Sequence, residues 1–171
     1  MLTPPPLPPE MEDESACGAV RLLLKPSRSS IPRVVLVVDR SYSMNQHEDR
    51  WSPVVNTLRA VTNALNDSVH FGLALFPFPL PMNTPPDTLA CAPAAMNVEP
   101  GPNTAGEIGQ WLTDSTPHPG LGTPTYSALS AAGAYLAQNP TGNDYIILAT
   151  DGGPGCNYDL DIFSCTCLNH A

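Results

Sequence analysis

The sequence predicts an α/β fold, a doubly wound, mostly parallel sheet with helices on both faces. Apolar runs at residues 34–38, 69–76 and 145–150 have strand length and lack the polar alternation of a half-exposed sheet. Between them lie segments whose apolar residues recur at helical spacing. Strands alternating with helices imply right-handed crossovers and parallel pairing. The 171 residues suffice for about one ordinary domain with a single core.

Residues 1–30 combine a proline run with Glu10, Glu12, Asp13 and Glu14, and are expected to form a disordered lead-in and linker. The domain proper is expected over residues 31–155. Its first strand is Val34-Val35-Leu36-Val37-Val38, ending in Asp39. Ser52 followed by Pro53 reads as a helix start, the Ser hydroxyl capping free N–H groups and Pro occupying the first helical position. Val54, Val55, Leu58, Val61 and Leu65 then recur at helical spacing to about Asn66, and residues 69–76 supply a second buried strand.

Residues 77–102 hold eight prolines and Cys91, and are expected as a surface excursion with no regular structure of its own. Thr104-Ala105-Gly106-Glu107 matches a capping box, and Ile108, Trp111 and Leu112 supply the apolar face of a short helix. A further helix is expected from about Pro124, with Tyr126, Leu129, Ala132 and Leu136 on one face, stopping at Asn139-Pro140. Residues 145–150 form the third buried strand. Residues 156–171 read as a Cys-rich tail or the start of a truncated remainder.

The formal net charge of -9, with only seven Lys and Arg, argues against a phosphate-tracking surface for nucleic acid or anionic membrane. Cations are the natural partners. No stretch approaches the roughly 18 apolar residues of a membrane span. The N-terminus carries neither a basic n-region nor an apolar h-region, so no signal peptide is readable. Five cysteines point the other way, to oxidising surroundings and a secreted or cell-surface location, with a cytoplasmic one left open. Pairing among Cys17, Cys91, Cys156, Cys165 and Cys167 is not readable from spacing. The alternative is a zinc site from Cys156, Cys165, Cys167 and His170, against which the C-x-C spacing weighs.

Ligands of such sheets bind just beyond the carboxyl ends of the strands. Three loops with hard oxygen atoms are expected to converge there: Asp39-Arg40-Ser41-Tyr42-Ser43, Gly122-Thr123-Pro124-Thr125 and Asp151-Gly152-Gly153. Mg²⁺ takes oxygen ligands in near-octahedral geometry at about 2.0–2.1 Å and keeps some water. Two carboxylates with two or three hydroxyls would leave roughly one or two positions for water or an incoming ligand.

Asp39-x-Ser41-x-Ser43 resembles the D-x-S-x-S of the metal-ion-dependent adhesion site in the von Willebrand factor type A family. Gly122-Thr123 is similar to that family's loop threonine, and Ala149-Thr150-Asp151-Gly152 to its final T-D-G, in the same chain order. The resemblance covers about residues 31–151. It implies Ser41 and Ser43 as direct ligands of Mg²⁺, or of Mn²⁺ or Ca²⁺. Thr123 is implied as a direct or water-separated ligand, with Asp39 and Asp151 in the near shell. It further implies a protein-binding, adhesion-type module with no catalytic residues, in which an Asp or Glu of a protein partner completes the ion.

Two departures stand out. Tyr42 occupies a position where the family often has Gly. The family also continues for two more strand and helix units, so residues 145–150 are expected to form an exposed apolar edge. A fragment, a truncated gene model or completion by another chain is the expectation that follows.

Several competing readings stay open at the level of sequence. Asp39, Ser41 and Ser43 could be turn residues. Thr123 could cap the helix that begins near Pro124, with Thr125 taking its place at the ion. An intracellular assembly domain beside a AAA-type ATPase is an alternative function. A metal-dependent hydrolase is another, but the chain has no second Asp two residues after Asp39, no P-loop and no Ser nucleophile elbow. Gly120-x-Gly122 lacks the third glycine of a dinucleotide-binding turn.

Overall fold

The computed structural model describes residues 31–81, 83–85, 90–138 and 140–156. The expected lead-in, the tail beyond Cys156, and with them Cys17, Cys165, Cys167 and His170, lie outside the described residues. The elements in chain order are β1 (Arg33–Asp39), α1 (Ser43–Gln46), α2 (Trp51–Ala64), β2 (His70–Phe76), β3 (Val98–Gly101), α3 (Ala105–Asp114), α4 (Thr125–Gln138) and β4 (Asp144–Ala149). The sheet order is β3-β2-β1-β4. β1 is central and pairs parallel with β2 from Arg33↔His70 to Asp39↔Phe76, and with β4 from Arg33↔Asp144 to Val38↔Ala149.

Because successive side chains of a strand point to opposite faces, the Val-Leu run of β1 serves two cores at once. Val34, Leu36 and Val38 pack with Leu73 and Leu75 of β2 against Trp51 and Val55 of α2 and Ile108 and Leu112 of α3. Val35 and Val37 pack with Ala74 and Phe76 against Ala128, Ala132 and Leu136 of α4. The molecule is thus a mixed α/β structure with a four-stranded mixed sheet and helices against both of its faces.

The proline-rich excursion departs from expectation. Residues 98–101 within it form β3, which runs antiparallel beside β2. Gly72 permits this, since a Cβ there would lie 2.7 Å from Pro100 Cγ and Cδ. The pairing is irregular between Phe71 and Leu73. Asn97 stitches the gap, its N–H donating to Leu73 O while its Oδ1 accepts from Leu75 N.

Three further corrections concern helix phase and caps. α2 begins at Trp51, so Ser52 lies inside its first turn instead of at the cap, and the Ser52 N–H donates to the carboxylate of Asp49. Its inward face is Trp51, Val55 and Thr62, leaving Val61 and Leu65 41% and 43% exposed. Thr104 does not close a capping box; its hydroxyl donates to Phe71 O and Gly101 O, and Asn66 Oδ1 accepts the Ala105 N–H instead. α4 turns its alanines inward, so Tyr126, 83% exposed, and Leu129 point away from the sheet.

Among the described residues β4 is an edge strand. Ile146, Ile147 and Leu148 are exposed, so this third strand is not buried on both faces, while the exposed apolar edge is where it was expected. Among the described residues no helix is long and apolar enough to cross a membrane.

Candidate metal centre

Asp39 is the last residue of β1, and Asp151 follows the end of β4 by two residues. Parallel pairing of these neighbouring strands brings both carboxylates to one end of the sheet. Asp39 is fully buried. Its Oδ1 accepts the Ser41 N–H at 2.7 Å, which bends the loop back over the strand end, and its Oδ2 accepts the Thr150 hydroxyl at 2.6 Å. Met44, buried in the core, anchors the other side of the loop through α1.

A chain of hydroxyls links the two acids. Ser41 Oγ and Ser43 Oγ lie 2.9 Å apart, and Ser43 Oγ donates to Asp151 Oδ1 at 2.9 Å. The free oxygen of Asp151, Oδ2, accepts from Arg50 Nη1. Burial raises the Asp39 carboxyl above its ordinary value; hydrogen bonds from Thr150 and Ser41 oppose the rise, and the charge of Asp151 adds to it. Two acids set close enough to repel each other form a place where a cation is favoured.

Tyr42 needs no glycine-like backbone, because its φ of -62° and ψ of -31° are right-handed helical values. Its N–H donates to Leu121 O at 3.0 Å and so ties the Ser41–Ser43 turn to the loop carrying Thr123. That loop is fixed from behind by a disulfide between Cys91 and Cys156. Gly122 N donates to Ala90 O at 2.8 Å, and a Cβ on Gly122 would meet Cys156 Sγ at 2.8 Å, so only glycine fits there. Thr123 O accepts from Gly155 N at 3.0 Å. Among the described residues the Thr123 hydroxyl makes no hydrogen bond, so it does not serve as the helix cap.

The disulfide removes Cys156 from the zinc alternative. His47, His70 and His118 belong to no ligand cluster, and no group of three or more His, Cys, Asp or Glu among the described residues is arranged to hold a metal. The group that the structure does assemble is of another kind: the carboxylates of Asp39 and Asp151 with the hydroxyls of Ser41 and Ser43. Such hard oxygens suit Mg²⁺, Mn²⁺ or Ca²⁺ and not zinc held by sulfur or imidazole. The structure brings Asp39, Ser41, Ser43 and Asp151 into one hydrogen-bonded group and sets the Thr123 loop beside it.

Three residues in this region escape sequence reasoning. Thr150 orients Asp39 and was visible only as part of the T-D-G run. Arg50 has no motif around it. Arg40 sits between Asp39 and Ser41 but turns inward, where Nε donates to Ser115 O and Nη1 to Pro77 O, both at 3.1 Å. Burial pushes its guanidinium down to about 10, which leaves it cationic at neutral pH. It clamps the loop to the segments after α3 and β2.

Beside the Thr123 loop lies a largely apolar cavity of about 640 Å³, lined by Pro93, Pro124, Tyr126, Leu129 and the disulfide. The hydroxyl of Thr125 is buried at its wall without a partner among the described residues.

No protein-family model, curated protein or solved structure matches the chain.

Proposed function

We propose that this chain is a divalent-metal-dependent protein-binding module of the von Willebrand factor type A kind, with a doubly wound sheet. Its bound Mg²⁺, or Mn²⁺ or Ca²⁺, would capture an Asp or Glu side chain of a protein partner. The observation that carries this reading is the continuous hydrogen-bonded group Asp39–Ser41–Ser43–Asp151 at the carboxyl ends of β1 and β4. Ser41 and Ser43 would be direct ligands. Thr123, whose hydroxyl has no partner among the described residues, would join them directly or through water, and Asp39 and Asp151 would balance the charge.

The role assigned is binding and not catalysis. In this arrangement the oxygens of Ser41, Ser43 and Thr123 would hold the ion, which would supply Lewis acidity toward a carboxylate. The Cys91–Cys156 disulfide supports an oxidising, secreted or cell-surface setting over the intracellular assembly alternative.

The test is calorimetric titration of the chain with MgCl₂ and MnCl₂, repeated on Ser41→Ala/Ser43→Ala. Saturable binding should appear in the native chain, raise its melting temperature and vanish in the double variant. Equal binding by a folded double variant would remove the proposed site.

A further inference from the structure

We propose that Arg50 is a built-in competitor for the candidate metal centre: its guanidinium holds Asp151 in the metal-free chain, and a divalent ion must displace it to bind. This inference rests on the metal-binding reading above and adds to it a residue that sets how tightly the ion is held.

Three observations support it. First, every basic side chain among the described residues has a different engagement. Arg33 pairs with Asp144, Arg40 is buried against carbonyl oxygens and Arg59 reaches Thr113, whereas Arg50 alone of them bonds Asp151. No Lys or Arg follows Arg59 in the sequence, so no ammonium or guanidinium side chain beyond it can take that place.

Second, the two partners differ in freedom. The Asp151 side chain is only 8% exposed, fixed through Oδ1 by Ser43, while the Arg50 side chain is 44% exposed. The backbone of Arg50 is held at the start of α2, its N–H donating to Met44 O and Glu48 O. A long arm on a fixed base can swing out without unfolding anything.

Third, the contact occupies the Asp151 oxygen that Ser43 does not take. With Oδ1 of Asp151 taken by Ser43, Oδ2 is the one left to a metal or to a metal-bound water, and Arg50 Nη1 occupies it. A guanidinium and a divalent cation sharing that carboxylate would repel each other. Arginine suits the post because its guanidinium donors match a carboxylate.

The experiment compares the native chain with Arg50→Gln and Arg50→Lys, using MgCl₂ and MnCl₂ titrations by calorimetry and melting curves in chelator and in saturating Mg²⁺. Arg50→Gln should bind Mg²⁺ roughly two- to fivefold tighter, the effect expected from removing one partly exposed charge pair. In chelator it should melt below the native chain, because two acids lose their counter-charge, and Mg²⁺ should raise its melting temperature by more. Arg50→Lys, which keeps the charge but not the planar donors, should fall between the native chain and Arg50→Gln.

Binding by Arg50→Gln alone would support the proposal in its strongest form. Equal or weaker Mg²⁺ affinity in Arg50→Gln, beside a native chain that binds, would overturn the competitor role and leave the metal centre standing. No binding of either ion by any of the three folded chains would overturn both.

Discussion

The hydroxyl of Thr150 joins two residues 111 positions apart, and its value is directional: it fixes one oxygen of a fully buried carboxylate. Thr150→Val keeps the shape and removes the donor, so Asp39 Oδ2 loses its partner. We expect a loss of about 1–2 kcal/mol in stability, read by thermal or urea unfolding, and weaker Mg²⁺ binding. Thr150→Ser should recover most of both. An unchanged melting curve for Thr150→Val would show that water or another group satisfies Asp39 equally well. The grouping of Asp39, Ser41, Ser43 and Asp151 was legible because their type and order put hard oxygens at the ends of two strands, and the structure joins them by hydrogen bonds. Thr150 and Arg40 were not. Their roles depend on which strand lies beside which and on the inward turn of a single arginine, and neither is local information.

At the scale of elements, strands β1 and β2 were readable because an unbroken apolar run has little choice but to be covered on both faces. β3 was not, since four residues within a proline-rich stretch show no period of their own. Its position is written instead in Gly72 of the partner strand, where an absent side chain admits Pro100. Gly72→Ala should force β3 away from β2 and cost about 1–3 kcal/mol, measured by chemical denaturation, with β1 and its site residues intact. A neutral Gly72→Ala would mean that β3 shifts freely. Helix α4 is apolar nearly all round, so periodicity alone could not choose its phase. Close packing chose the alanines, which let the helix lie near Val35 and Val37, and the bulkier Tyr126 and Leu129 were turned out beside the cavity.

For the molecule as a whole, the arrangement of strands and helices was legible in outline, and the pairing partners were not. The ion pair at the start of the sheet illustrates the difference. Arg33 Nε donates to Asp144 Oδ1 at 2.7 Å, joining the first residues of β1 and β4, a match visible only once the register is known. Burial alone would raise the Asp144 carboxyl. The hydrogen bonds from Arg33 and Thr141 and the Arg33 charge outweigh it and hold the group at about 2, below its ordinary 3.8. A depressed carboxyl contributes stability that is complete above about pH 4 and lost as pH falls toward 2. For a pair this near the surface the contribution is roughly 1 kcal/mol. Melting temperature should therefore fall between pH 4 and pH 2 in the native chain and fall less in Asp144→Asn; identical acid profiles would exclude this pair as the source. The Cys91–Cys156 bond acts on a larger scale, closing a 65-residue span that contains β3, α3, α4 and β4. Since no Lys or Arg lies after Arg59, trypsin has no cleavage site in that covalent ring. A glutamyl protease cutting at Glu99 or Glu107 would open the ring without dividing the molecule, and the products would separate only once the bond was reduced.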